Sequence, residues 1–283
     1  MRIAVSGAEL FFHVYGSSLA PQGNELVVKP VVVALHGGPG IDHSQFVPWL
    51  TPIADIAQLV LVDHRGNGRS SRPPVETRTL ATMADDLEAL RQALGLGRIV
   101  VFGMSFGGML ALTYAVTYPD SVAGLIPCAT AASNEALERG LSRLHDIASP
   151  EQREALARLR SGTVESAADL DRVFAALAPF YEYDPKRTPP GGFKPIADID
   201  MLNWFFAHDR KTYDVRSQLG GITAPTLVLT GRHDRIAPPD ASDEIVKAIP
   251  GAGQVIFEQS GHGLMREENA KFLQTVRDFI GRL

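Results

Sequence analysis

The chain has 283 residues, 27 Lys and Arg against 32 Asp and Glu, a formal net charge of −5, and 45% hydrophobic against 21% charged residues. That balance supports a core and excludes a disordered or fibrous chain, and the absence of a basic cluster excludes nucleic acid as the main partner. The single cysteine, Cys128, has no partner for a disulfide or a Cys-rich zinc site. The N-terminal MRIAVSGAELFFHVYG alternates polar and apolar residues and lacks the apolar core of a signal peptide. No run reaches the roughly 18 apolar residues of a membrane span. A soluble, cytoplasmic protein is expected, with no membrane partner.

In chain order, the first 15 residues alternate around Gly7 like a β-hairpin. Ser17 to Glu25 reads as a polar loop. Val31–Leu35 is a short apolar run, as expected of a strand buried on both faces of a parallel sheet. A helical stretch is predicted over Phe46–Ala57, then a second buried strand over Leu59–Val62. Apolar residues at 80, 83, 87, 90 and 94 have helical spacing. Ile99–Phe102 is a third strand, Met109–Tyr118 a helix and Val122–Ile126 a strand. The alternation resumes with strand Thr226–Leu229, helix Ala241–Ile249, strand Gln254–Phe257 and helix Glu267–Ile280.

Strand and helix in alternation with short links predict an α/β protein with a mostly parallel, doubly wound sheet. The intervening segment, residues 131–221, has no apolar strand run but several helix starts. Ser149-Pro150-Glu151-Gln152 combines an N-cap Ser, Pro at the first helical position and Gln at the third, and Ser166 with Asp169 repeats the pattern. Lys186–Pro195 is a Pro/Gly-rich loop. The expected organisation is a core of residues 1–130 and 222–283, with 131–221 as a helical lid over the sheet edge where open α/β sheets bind ligands.

Gly103-Met104-Ser105-Phe106-Gly107-Gly108 follows a predicted strand and leads into a helix, the context of a G-x-S-x-G nucleophile elbow. A serine nucleophile needs a base, and the base an orienting acid. Asp234 lies in the loop after strand Thr226–Thr230, and His262 in the loop after Val255–Phe257. Both fall on the edge that carries Ser105, which makes Ser105, Asp234 and His262 the candidate catalytic residues. His233 is a rival base, but it would share a loop with its own acid. Asp240 reads as the N-cap of the next helix. His36-Gly37-Gly38-Pro39-Gly40 follows Val31–Leu35, so the N–H groups of Gly38 and Phe106 are candidates for an oxyanion hole. Asp63–Ser70 reads as a polar turn bracing that loop. The remaining histidines lack metal-ligand spacing, so no metal and no cofactor are expected, and the partner is a small-molecule substrate. Oligomeric state is left open.

HGGPG at 36–40, DHRGNGRS at 63–70, GMSFGG at 103–108, GRHD at 231–234 and SGHG at 260–263 together resemble an α/β-hydrolase of the prolyl-iminopeptidase-related branch, over nearly the whole chain. The resemblance implies the α/β-hydrolase fold with a helical lid. Prolyl iminopeptidases usually have Trp after the serine, where this chain has Phe106. They also carry lid glutamates, typically beside tryptophans, that hold the substrate's α-ammonium. Here Trp204-Phe205-Phe206 has no adjacent Glu, and Glu182, Asp184, Asp209 and Asp214 are the acidic candidates. Nine of the 21 aromatic residues (Phe174, Phe180, Tyr181, Tyr183, Phe193, Trp204, Phe205, Phe206 and Tyr213) fall in about 40 positions of the lid. A few of them, Trp204 and Phe205 first, are expected to line an apolar substrate pocket. The expected function is hydrolysis of a carboxylic ester or lactone. The alternative is an aminopeptidase using the same triad, and a ligand-binding protein on the hydrolase fold comes third.

Overall fold

The computed structural model describes residues 1–186 and 195–283. Its core is an eight-stranded sheet. β1 (Arg2–Val5) and β2 (Ala8–Tyr15) form the hairpin at one edge, and β2 pairs antiparallel with β6 (Gln58–Asp63). From β6 the sheet is parallel through β5 (Val31–Leu35), β7 (Ile99–Met104), β8 (Val122–Cys128), β9 (Leu227–Gly231) and β10 (Gly253–Phe257). The central strands are apolar runs because helices cover both faces: Val32, Val33, Val100, Val101, Phe102 and Ile126 are all buried. Six parallel strands therefore end on one edge, and the loops that leave them carry the site.

α1 (Leu80–Ala93) and α2 (Phe106–Thr117) lie against this sheet, and α8 (Pro239–Ala248), α9 (Leu264–Glu267) and α10 (Asn269–Ile280) complete its cover. α2 is apolar nearly all round, as a helix enclosed on several sides must be. Between β8 and β9 the chain leaves the sheet for α3 (Asn134–Ile147), α4 (Pro150–Ser161), α5 (Ala167–Tyr181) and α6 (Ile199–Trp204). A π-helical turn over Phe205–Asp209 then leads into α7 (Arg210–Thr212). This insertion has its own apolar cluster, with Leu144, Leu156, Leu159, Val173, Leu177 and Phe180 buried together. Truncating one of those leucines to Ala costs about 2–5 kcal/mol. The insertion's two ends meet where Ser133 pairs with Asp214 and Asn134 N donates to Tyr213 O at 2.8 Å. The Ser149–Gln152 capping box starts α4 as its sequence requires. Ser166 caps α5, but Asp169 turns instead to Glu165 N and Arg158.

Three local expectations need correction. Residues 17–25 are not a loop but belong to a second hairpin, β3 (Leu19–Gln22) with β4 (Glu25–Val28), which forms a separate two-stranded sheet. Phe46–Ala57 is not one helix: it holds parts of two 3₁₀ turns, His43–Phe46 and Thr51–Asp55. Pro48 and Pro52, which lack the N–H that a continuous α-helix needs, interrupt it. Asp240 is not the N-cap of α8 but lies in its first turn, where it binds Arg143 at 2.7 Å. Apart from its ends, the Lys186–Pro195 loop, including Phe193, lies outside the described residues. Among the described residues, no helix is long and apolar enough to cross a membrane.

Candidate active site

The turn from β7 into α2 holds Ser105 at φ 55°, ψ −118°, a left-handed conformation that costs energy for a residue with a Cβ. Its neighbours enforce that conformation. A Cβ on Gly103 would lie 2.1 Å from Gly107 O, and one on Gly107 would lie 2.0 Å from Leu35 O. Only bare backbone fits at either position. Ser105 N donates to Cys128 O at 2.9 Å, and Thr130 Oγ1 donates to Ser105 O at 2.8 Å. The end of β8 thus clamps the turn, and the Ser105 hydroxyl is left facing the cleft.

His262 leaves the loop after β10 and reaches Ser105 Oγ with Nε2 at 2.9 Å. Its Nδ1 meets Asp234 Oδ2 at 2.9 Å. The other oxygen of Asp234 accepts from Ile236 N at 2.8 Å and Ala237 N at 2.9 Å. The carboxylate is buried and fully engaged, which fixes both its rotamer and the imidazole's. His262 N donates to Tyr181 O at 2.7 Å, so α5 of the insertion also positions the loop that carries His262. The Tyr181 ring stands edge-on to His262 at 5.3 Å, and burial pushes its phenol up to about 12, so that it lines the site as a neutral group. His233 is exposed and stacks on Tyr183 at 4.2 Å, outside this series.

The Phe106 N–H is the first of α2 and has no acceptor within the helix. Gly38, at φ 112°, lines the same cleft beside Ser105. The Asp63–Ser70 turn braces the Gly38 loop, as the sequence suggests. Gly40 N donates to Asn67 Oδ1 at 2.7 Å, and His43 N donates to Asp63 Oδ1 at 2.9 Å. His36 and His64 stack at 4.0 Å beneath the loop. Burial lowers both imidazoles, His64 well below its ordinary value, so they brace the loop as neutral rings. Burial alone would raise Asp63, but hydrogen bonds from His43 outweigh it and hold the carboxyl well below the usual range.

Two chambers open on Ser105 and His262. The inner one, about 70 Å³, is walled by Met109, Leu141, Leu156, Phe205 and Ile236, with Arg210 also on its lining. The outer one, about 400 Å³, is walled by Ile41, Trp49, Phe174, Leu202 and Met265, with Glu182 and Arg266 at one side and exposed Asp171 at another. Gly38, Leu159, Tyr181 and Phe206 line both. Phe205 therefore lines the cleft, but Trp204 does not. The Trp204 indole stacks on His208 at 4.2 Å and lines a separate surface hollow with Val75 and Gly162. One residue on a helix is about 100° of rotation, enough to turn a neighbour of Phe205 away from the cleft. Phe206, one of the nine lid aromatics, also lines the cleft, whereas Arg210 and the leucines of α3–α5 carry no signal in the sequence. Of the acidic candidates, Glu182 lines the cleft and is bound to Arg266. Asp209 accepts from Leu80 N, Asp214 binds Arg216, and Asp184 accepts from Lys186 N. Among the described residues there is no cluster of three or more metal-ligating side chains.

A hydroxyl, an imidazole and a carboxylate joined in series, with backbone N–H groups beside the hydroxyl, are equipped for attack on an acyl carbonyl. On the strand ends of a sheet of this topology, that arrangement defines the α/β-hydrolase class. Residues 30–268 match the family model described as "alpha/beta hydrolase fold". The chain is 30% identical over 279 residues to a proline iminopeptidase of Saccharolobus solfataricus, covering 89% of this chain and 85% of that one. It is 27% identical to the proline iminopeptidase PfmaB of Pestalotiopsis fici, covering 98% of each. Among solved structures, a thermophilic esterase from Thermogutta terrifontis superimposes with a TM-score of 0.68 at 25% identity, over 100% of this chain and 98% of that one. The chain belongs to the α/β-hydrolase fold family, in its prolyl-iminopeptidase-related branch.

Proposed function

We propose that this hydrolase cleaves a carboxylic ester or lactone through an acyl-enzyme on Ser105, with residues 131–221 serving as its lid. Ser105 Oγ attacks the carbonyl carbon while His262 Nε2 takes the hydroxyl proton, and Asp234 holds the resulting imidazolium. The N–H groups of Gly38 and Phe106 receive the oxyanion. Collapse breaks the bond to the alcohol oxygen, which leaves with the proton from His262. Water then repeats the attack on the acyl-enzyme, releasing the acid and restoring Ser105.

The observation that carries this reading is the charge on the cleft wall. Apolar side chains dominate both chambers; the inner one has no carboxylate on its lining, and on the outer one Glu182 is paired with Arg266 while Asp171 is exposed. An α-ammonium group entering the inner chamber would lose its water without meeting a carboxylate there. A second reading has its own support. The curated relatives favour release of an N-terminal residue such as proline, whose compact apolar ring suits the inner chamber, with Glu182 leaving Arg266 to hold the amine.

The deciding experiment is a turnover panel of p-nitrophenyl esters, acyl lactones and proline-naphthylamide. The ester and lactone reading expects kcat/KM for the best ester or lactone to exceed that for the proline amide. The reverse order would overturn it in favour of the aminopeptidase.

A further inference from the structure

Arg210 lies in the inner chamber's lining, although arginine is costly to bury. It is 3% exposed, and its Nε and Nη1, both closed to solvent, have no hydrogen-bond partner among the described residues. Nη1 lies 2.7 Å from Glu138 Oε1, close enough for an ion pair but not aligned as a hydrogen bond. Glu138 is itself shared, because Arg160 binds its other oxygen. Two guanidinium groups and one carboxylate leave this cluster with a net positive charge. The guanidinium also packs over the Phe206 ring, 5.3 Å from its centroid, which keeps it beside the cleft. Burial lowers the Arg210 pKa, the mark of a cation whose lost hydration is not fully replaced.

An apolar chamber with an under-satisfied cation on its wall fits one kind of acyl group: a short apolar body with an oxygen acceptor at its far end. From this juxtaposition we infer that Arg210 selects short acyl groups that end in a carboxylate, as in the monoester of a short dicarboxylic acid. A carboxylate there gains charge-assisted hydrogen bonds and balances the cluster's charge. A plain alkyl end leaves the guanidinium as it is, and an ammonium end is repelled. A volume of about 70 Å³, several times the space one water needs, limits the group to a short chain. This inference rests on the ester reading above and sharpens it to a substrate class.

The test compares three ethyl esters whose acyl groups match in heavy-atom count. Monoethyl glutarate ends in a carboxylate, ethyl 5-oxohexanoate in a ketone and ethyl 5-methylhexanoate in a branched alkyl group. The expected order of kcat/KM is carboxylate, ketone, alkyl, with the first exceeding the last by about tenfold or more, as for a hydrogen bond to a charged group. Arg210→Met should abolish the preference, whereas Arg210→Lys should keep part of it. An alkyl ester turned over as well as the other two, or a preference that survives in Arg210→Met, would overturn the inference. Should the variants not fold, the three esters with the wild-type protein still decide it. Failure of the ester reading itself has a different signature, no turnover of any of the three. The inference is then read from protection of Ser105 against a fluorophosphonate: glutarate should protect better than 5-methylhexanoate, and the opposite order would contradict it.

Discussion

The sheet edge and the helical insertion build the two sides of one cleft by different means. At the edge, each polar group sits in a short turn leaving a strand, and neighbouring backbone fixes its position. Ser105 is locked by Gly103, Gly107 and the end of β8, and Asp234 by two backbone N–H groups. In the insertion, side chains reach the cleft because of which way a helix is turned, and packing among α3–α7 sets that rotation. A one-residue change of phase on the edge would break a hydrogen-bonded series. On the insertion it exchanges Phe205 for Trp204. The hydrogen-bonded series is therefore fixed by the edge, while the insertion adds Phe205, Phe206, Arg210 and its leucines to chamber walls that the core shares through Ile41, Met109 and Met265.

The largest expected effect lies on the edge. His262→Ala should lower kcat by a factor on the order of 10⁴–10⁶, while exposed His233→Ala should leave it within a fewfold of wild type. Steady-state rates on one ester decide between them, and a larger loss in His233→Ala would break the assignment of the base.

On the insertion the effects are smaller and concern preference rather than rate. Over the first additions, kcat/KM on alkyl esters should rise by up to about fourfold per methylene, about 0.8 kcal/mol for each buried CH₂, until the chamber fills. Phe206→Ala, which removes a wall common to both chambers, should flatten that trend. Trp204→Ala should leave it unchanged, because its indole lies in a separate hollow. If the Trp204 variant alone flattened the trend, the placement of α6 would be wrong.

The smallest effect is remote from both regions. Hydrogen bonds from Arg91 hold the Glu88 carboxyl down at about 2, with Tyr114 and Gln92 adding to them, against an ordinary 4.5. A lowered value in the folded state means stability that is present above pH 4.5 and lost as pH falls toward 2. The melting-temperature difference between wild type and Glu88→Gln should shrink across that window. A difference independent of pH would contradict this pairing.

The same contrast explains what could be read from the sequence. Six apolar runs located the sheet, and the turns after five of them its site residues, since a strand buried on both faces has a plain signature and a turn tightly limits which residues fit. The β3–β4 hairpin escaped notice because it buries no face: Leu19, Leu26 and Val28 are all exposed, so no alternation marks it. Trp204 misled because aromatic content identifies a packed helix without giving its rotation. Arg210 gave no signal at all. Its place beside the cleft depends on Glu138 and Phe206, brought together only by tertiary packing.

The central claim is that Ser105, activated by His262, is the nucleophile of this hydrolase. Its most direct test is to treat the wild type, Ser105→Ala and His262→Ala with a fluorophosphonate and locate the adduct by peptide mass spectrometry. The account predicts one adduct, on Ser105, formed rapidly in the wild type, much more slowly in His262→Ala and not at all in Ser105→Ala. Stoichiometric labelling of a different serine, or undiminished esterase activity in Ser105→Ala, would contradict it.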